Sequence, residues 1–285
     1  MPTAALDNYA SITTEWPTDQ TVYLTLDFEC DYGTALPTNS YKALEATDQL
    51  VALLEEKKVP LTCFVQTAVL DKHPEAVETL RASSIPVSFH PHSHTHKPRN
   101  QTSIEYEVAE STSRYREFFG TDPVGYRLPN GNIRAADYEH LVAYDYDFDA
   151  SVFPSWRPGH FNNTDAATNP TYFPDFDLIE LPFTVYSDTV RIPTALSYCQ
   201  VLGFPYSQLL TFSPPSSAVL NIHMHDLTTP ESYKNLPRFY KMIYARNENG
   251  FPMLQNLLSR FQAQDYQFAQ LDDAHKSIRN EVAND

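Results

Sequence analysis

Four of the chain's ten histidines fall within seven residues, His90-Pro91-His92-Ser93-His94-Thr95-His96. Neutral imidazole is the commonest metal ligand near pH 7. Two imidazoles and one carboxylate, with a position left open for water, make a hydrolytic zinc centre. Acids able to complete such a set stand upstream, in Thr25-Leu26-Asp27-Phe28-Glu29-Cys30-Asp31. Side chains i and i+2 of a strand share a face, so Asp27 and Glu29 can enter one pocket. Arg127, Asp149 and the pair His225-Asp226 are further charged or titratable groups at the ends of apolar runs. The histidines also alternate, so a solvated face of an extended segment, or an adventitious metal-binding tract, would use the same residues.

These groups need elements to hold them. Val22–Asp27 reads as a buried strand, Ser40 opens an amphipathic helix to about Lys57, and Leu61–Gln66 is a second strand. Pro74–Ala82 reads as a helix and Ile85–Phe89 as a strand running into the histidine cluster. Thr102 or Ser103 caps a helix that Gly120 stops after Phe119. Strand Val124–Arg127, helix Ala135–Tyr144, strand Phe148–Val152, the strand-like Leu178–Leu181 and Thr184–Tyr186, strand Ala218–Met224, helix Pro252–Gln262 and strand Tyr266–Leu271 follow. Phe153–Asp177 reads as a long ordered loop. Alternating strands and helices imply parallel strands with helical crossovers, and such folds gather their functional groups beyond the carboxyl ends of the strands.

Composition sets limits. The 285 residues suit one large α/β domain, and 42% hydrophobic residues suffice for a core. A formal charge of −16 argues against nucleic acid or an anionic membrane surface as the main partner. Cys30, Cys63 and Cys199 lie far apart with no C-x-x-C pair, so buried free thiols are expected. The polar start, with Asp7, Glu15 and Asp19, is unlike a signal peptide, and no stretch is apolar enough to span a bilayer; no membrane insertion and a cytoplasmic location are the expectation for a chain that begins here. Oligomeric state is not written in these patterns.

Taken in order, the motifs resemble those of the polysaccharide deacetylases, carbohydrate esterase family four. His92-Ser93-His94-Thr95-His96 stands for the His-(Ser/Thr)-x-x-His motif, and Arg127-Leu128-Pro129-Asn130-Gly131 for Arg-x-Pro-x-Gly. Asp149-Ala150-Ser151-Val152-Phe153-Pro154 is similar to a segment of one branch, and Ile222-His223-Met224-His225-Asp226 to the strand ending in His-Asp. The resemblance runs from about residue 20 to 275. The first motif departs, because Phe28 occupies the place of a ligating aspartate; Asp27-Phe28-Glu29 fits the variant with an acid, one spacer and a second acid.

The resemblance implies a single-domain α/β fold, a distorted (β/α) barrel of about seven parallel strands, over residues 21–275, with an extension at 1–20 and a tail at 276–285. It implies Glu29, His92 and His96 as ligands of a divalent ion, zinc foremost, with cobalt, manganese or nickel as alternatives. Asp27 is then the base; Asp27 and Glu29 could exchange roles, and Asp31 is the reserve. Arg127 would brace the base with Asp149 as partner, the Asn130 backbone N–H would hold the oxyanion, and His225 with Asp226 would protonate the leaving amine. Trp156 either stacks on a sugar ring or is core. The activity implied is removal of N-acetyl groups from an amino-sugar glycan or its precursor. Two rivals stay open: a C–N hydrolase of small ureides, with or without metal, and a barrel that binds a glycan without turning it over.

Overall fold

The structure is a computed structural model and describes residues 9–131, 133–157 and 161–284. Thr21–Phe28 (β1) is buried at all eight positions, and its alternation decides what faces where. Val22, Leu24, Leu26 and Phe28 pack outward under the helices. Tyr23 belongs to the barrel interior with Phe64, Phe148 and Val219, so Thr25 and Asp27, two and four residues on, follow it inward.

Strand β1 pairs in parallel with Leu61–Val65 (β2), and β2 with Val87–Pro91 (β3). A second sheet sets Gly125–Tyr126 (β4), Phe148–Asp149 (β5) and Leu178–Glu180 (β6) side by side, again in parallel. Ser217–His223 (β7) returns to the free edge of β1, placing Asn221 opposite Thr25 and His223 opposite Asp27. Gln267–Ala269 (β8) pairs with the start of β1. The two sheets approach where the Arg127 N–H, just past β4, donates to the Pro91 carbonyl at 3.2 Å, and Ala195 adds an isolated parallel bridge to Asn221 on β7. This is the expected distorted barrel of parallel strands.

Crossover helices Thr47–Lys57 (α1), Pro74–Arg81 (α2) and Ile104–Phe119 (α3) cover the outside. The Ser103 hydroxyl accepts from the Tyr106 N–H, and Gly120, at φ 72°, ends α3 as its sequence required. Strand β3 runs two residues further than its β-branched stretch suggested, delivering His92 directly off the strand. Sequence pattern missed Leu196–Leu202 (α4) and Phe204–Phe212 (α5), which are apolar around most of their circumference and broken by Gly203 at φ 74°. Residues 9–20 are partly engaged, since Ile12–Thr13 pair antiparallel with Thr171 and Tyr172; the first eight residues of the expected extension lie outside the described residues. The segment expected as a tail continues Leu271–Val282 (α6), a helix whose Leu271, Ala274 and Ile278 fill the barrel interior. Among the described residues no helix is long and apolar enough to cross a membrane.

Helix α6 closes the end of the barrel where the strands begin. The Leu271 N–H donates to Thr62 Oγ1 at 3.0 Å, and Asp272 Oδ2 accepts from Ser88 Oγ at 2.6 Å and faces His90 Nε2 at 3.2 Å. Asp272→Asn removes the charge from this buried junction and should lower stability by about 1–3 kcal/mol, read as a shifted urea midpoint with an unchanged slope. An unchanged midpoint would show that α6 does not depend on this junction.

Candidate metal centre and active site

Glu29 lies one residue past β1, and the chain turns away at once through Tyr32 at φ 58° and Gly33 at φ 52°. A Cβ on Gly33 would crowd His96 Cε1 at 3.0 Å, and the φ of 52° itself favours glycine there. His92 leaves β3, and left-handed Ser93 (φ 60°) and His96 (φ 58°) curl the chain so that both rings face Glu29. Left-handed backbone costs about 1 kcal/mol or more at non-glycine residues and persists where its surroundings hold it. Here Glu107, in the first turn of α3, holds it: its buried carboxylate accepts from the His94 and Thr95 amides at 2.8 and 2.7 Å and from the Thr95 hydroxyl.

Glu29, His92 and His96 are buried, and their ligand atoms lie within 4.8 Å of one another. Glu29 Oε2 is 3.1 Å from His92 Nε2 and touches His96 Nε2. The Nδ1 of His92 is 2.9 Å from the Arg127 carbonyl, which can only accept, so Nδ1 carries a proton and Nε2 is the nitrogen turned to the carboxylate. Two lone-pair groups facing at this distance repel unless a proton or a cation lies between them. The donor set, two imidazole nitrogens and a carboxylate oxygen, therefore fits a divalent cation. Burial alone would raise the Glu29 carboxyl, but His96 and His92 outweigh it and hold it well below the usual carboxylate range.

Asp27 sits on the neighbouring wall. Its Oδ1 accepts from Arg127 Nη1 at 2.7 Å; its Oδ2 is 3.3 Å from Asn221 Nδ2, 3.4 Å from His223 Nε2 and 4.0 Å from His92 Nε2. Burial would raise this carboxyl too, and Arg127, then His92 and His223, hold it far below its ordinary value. Arg127 is 1% exposed, lies between the rings of Phe64 and Phe183, and also donates to Thr25 Oγ1, Asn221 Oδ1 and the Ala150 carbonyl.

Three sequence expectations change. Asp149 does not hydrogen-bond Arg127, although the two charges still act on each other. Strand register sets it beside Glu180, its oxygens accept from the Ser151 amide and hydroxyl, and the guanidinium reaches across the barrel to Asp27 instead. His225 lies behind the strand end: β7 stops at His223, a short helix begins at Met224, the His225 ring stacks on His223 at 4.8 Å, and its Nδ1 accepts from the Tyr32 N–H at 3.1 Å. Burial lowers the His225 pKa. The inward place belongs to His223, whose Nδ1 is 2.8 Å from Asp226 Oδ2; burial would lower its pKa, but Asp226 and Asp27 raise it well above the ordinary value. Asp31, the reserve ligand, is consumed by the Ser40 and Ser232 hydroxyls and the Lys42 and Ala43 amides.

Elsewhere, Asn130 is half-buried and left-handed (φ 59°) on the loop that follows Arg127. Trp156 is 54% exposed on a two-stranded hairpin, free to stack and not core. His90 is consumed by Asp272 and the Gly125 amide, and His94 by Thr67. Sequence reasoning missed Glu107, Asn221, Glu180 and the inward position of His223. Only Asn221 and His223 carried a signal, since alternation along β7 puts both on the face that meets Thr25 and Asp27. Among the described residues, Tyr32 Oη, His96 Nδ1, Arg127 Nη2 and Asp226 Oδ1 are buried without hydrogen-bond partners.

Residues 15–148 match the sequence model of the family described as polysaccharide deacetylase. No curated protein matches the chain. Among solved structures, a Mycobacterium smegmatis protein provisionally described as a polysaccharide deacetylase superposes with TM-score 0.58 at 16% identity, covering 95% of this chain and 94% of its own. The peptidoglycan deacetylase PdaC from Bacillus subtilis gives TM-score 0.51 at 12% identity, covering 94% and 96%. A CE4 family pseudoenzyme from Bacillus anthracis gives TM-score 0.51 at 12% identity, covering 91% and 66%. At such identities these likenesses establish the fold, and the presence of a pseudoenzyme leaves activity to be argued from side chains.

The Asp149–Glu180 pair supplies a pH test. Burial pushes Asp149 up to about 6, and burial with the Asp149 charge pushes Glu180 well above its ordinary value, while Tyr138 Oη and the Val152 N–H donate to Glu180. The folded pair thus keeps a proton that the unfolded chain releases above about pH 4, so its contribution to stability falls as pH rises from there through the folded values. Glu180→Gln removes that requirement. The melting temperature of the variant should gain on the wild type between pH 5 and pH 8, and parallel profiles would contradict the shared proton.

Proposed function

We propose, from the match of residues 15–148 to the polysaccharide deacetylase family, that this chain is a metal-dependent hydrolase that removes N-acetyl groups from an amino-sugar glycan or glycan precursor. The observation that carries this reading is one buried mouth holding a cation-ready triad, Glu29, His92 and His96, beside a carboxylate and an imidazole placed to move protons. A divalent ion, zinc by the character of the donors, would be held by that triad; when bound it supplies Lewis-acid polarisation of the acetamide carbonyl and a water acidified towards neutral pH.

The side chains do the rest. Asp27 stays ionised because Arg127 occupies its Oδ1, and its Oδ2, turned towards His92 and His223, takes the proton of the attacking water. The Arg127 carbonyl fixes the tautomer of His92, so the residue that braces the base also aims a ligand. The Asn130 backbone N–H is assigned to the oxyanion, by its place on the loop after Arg127. The departing amine needs a proton, and His223, kept cationic by Asp226, gives it. His225 stays neutral behind it and supports the Tyr32 turn. Trp156 offers an exposed ring face to a sugar.

Acetate release from N-acetylglucosamine oligomers should separate the roles. Asp27→Asn and His223→Gln should each lower kcat by about 10²–10⁴-fold with metal still bound, and His225→Gln should cost far less. His92→Ala should lose the metal, read by plasma emission. A fully active His223→Gln would return the acid role to His225, and ring opening of cyclic ureides without acetate release would overturn the substrate class.

A further inference from the structure

A cleft of about 780 Å³ opens beside the triad, between the loop after Gly33 and the loop after His94. Gly33 and His96 belong both to the wall of the cleft and to the metal centre, so the two are adjacent. Its volume falls within the roughly 300–1,000 Å³ of small-molecule sites. Asn39 Nδ2 donates to the Thr95 carbonyl at 3.0 Å and links the two lips. Its charges are unlike those of the chain at large. The sequence carries a net charge of −16, yet two exposed lysines, Lys72 and Lys97, stand on the walls with no ion pair among the described residues. The acid on its lining, Asp71, lies 3.8 Å from Arg114, a cation it shares with Glu110 and Glu117, so the two lysines outnumber it without cancelling it. Lys72 rests its ammonium 5.0 Å from the centroid of the Tyr41 ring, which fixes its position without neutralising it.

We propose that this cleft seats the sugar next to the one that loses its acetyl group, and that Lys72 and Lys97 select glycans carrying an anionic substituent on that neighbour. The inference rests on the deacetylase reading for the identity of the neighbouring group, and not for the charge preference itself. The two cations sit beyond the ligands and the proton-transfer residues, so they contribute to binding and leave the chemical step alone. Positive groups in a cleft of an otherwise acidic molecule also raise the local concentration of anionic ligands, an effect that salt screens.

The test uses one oligomer in two forms, a hexamer alternating N-acetylglucosamine with glucuronic acid and the same hexamer with its carboxylates reduced to alcohols. Calorimetric binding to the wild-type protein should favour the carboxylate form by tenfold or more, less so at high salt. Lys72→Gln/Lys97→Gln should abolish that preference, leave the reduced form bound within twofold, and leave kcat on neutral N-acetylglucosamine oligomers unchanged. Equal binding of the two forms to wild type, or a variant that weakens both alike, overturns the proposal. A charge preference without acetate release from any oligomer would keep the cleft assignment and sink the deacetylase reading.

Discussion

A single buried guanidinium fixes the mouth of this barrel. Arg127 is sealed between two aromatic rings, and its Nη1 binds Asp27, Thr25 and Asn221 at once. Burying a charge without a partner costs several kcal/mol, and breaking such a pair from one side costs about 3–5 kcal/mol. The guanidinium therefore forces a carboxylate to this point of the wall and keeps it ionised. Through its carbonyl the same residue sets the proton on His92. Base and ligand are thus adjusted by one residue, whose position comes from the contact between the two sheets.

The second constraint is geometric. Two histidines four residues apart would share a face of a helix, but here they converge from a curled loop with two left-handed residues. Such a loop needs restraint from outside itself. The Glu107 carboxylate provides it from α3, and Gly33 makes room on the other side. The catalytic loop is held by a helix that contributes nothing to the chemistry, which is why the site can be strained and still ordered.

Much of this was legible in the sequence, and for local reasons. The alternation of β1, the Ser103 cap, the Gly120 stop and the histidine cluster follow rules that operate over a few residues, so these elements could be read directly, while the choice of Glu29, His92 and His96 as a ligand set came from the family resemblance. What could not be read depends on tertiary register. Whether His223 or His225 faces inward turns on where β7 stops, and that is set by the Asp226 carboxylate capping the next turn through the His223 N–H. The resemblance offered Asp149 as the partner of Arg127; the pairing of β5 with β6 puts Glu180 beside Asp149. Helices α4 and α5 were hidden because an apolar segment without a polar face carries no helical period.

The account stands or falls on what occupies the point shared by Glu29 Oε2, His92 Nε2 and His96 Nε2. Diffraction from crystals grown with zinc, recorded on both sides of the zinc absorption edge, reads that point directly. The account predicts one strong anomalous peak there, in contact with all three side chains and beside Asp27. No peak, with Glu29 still hydrogen-bonded to both histidines, would contradict it.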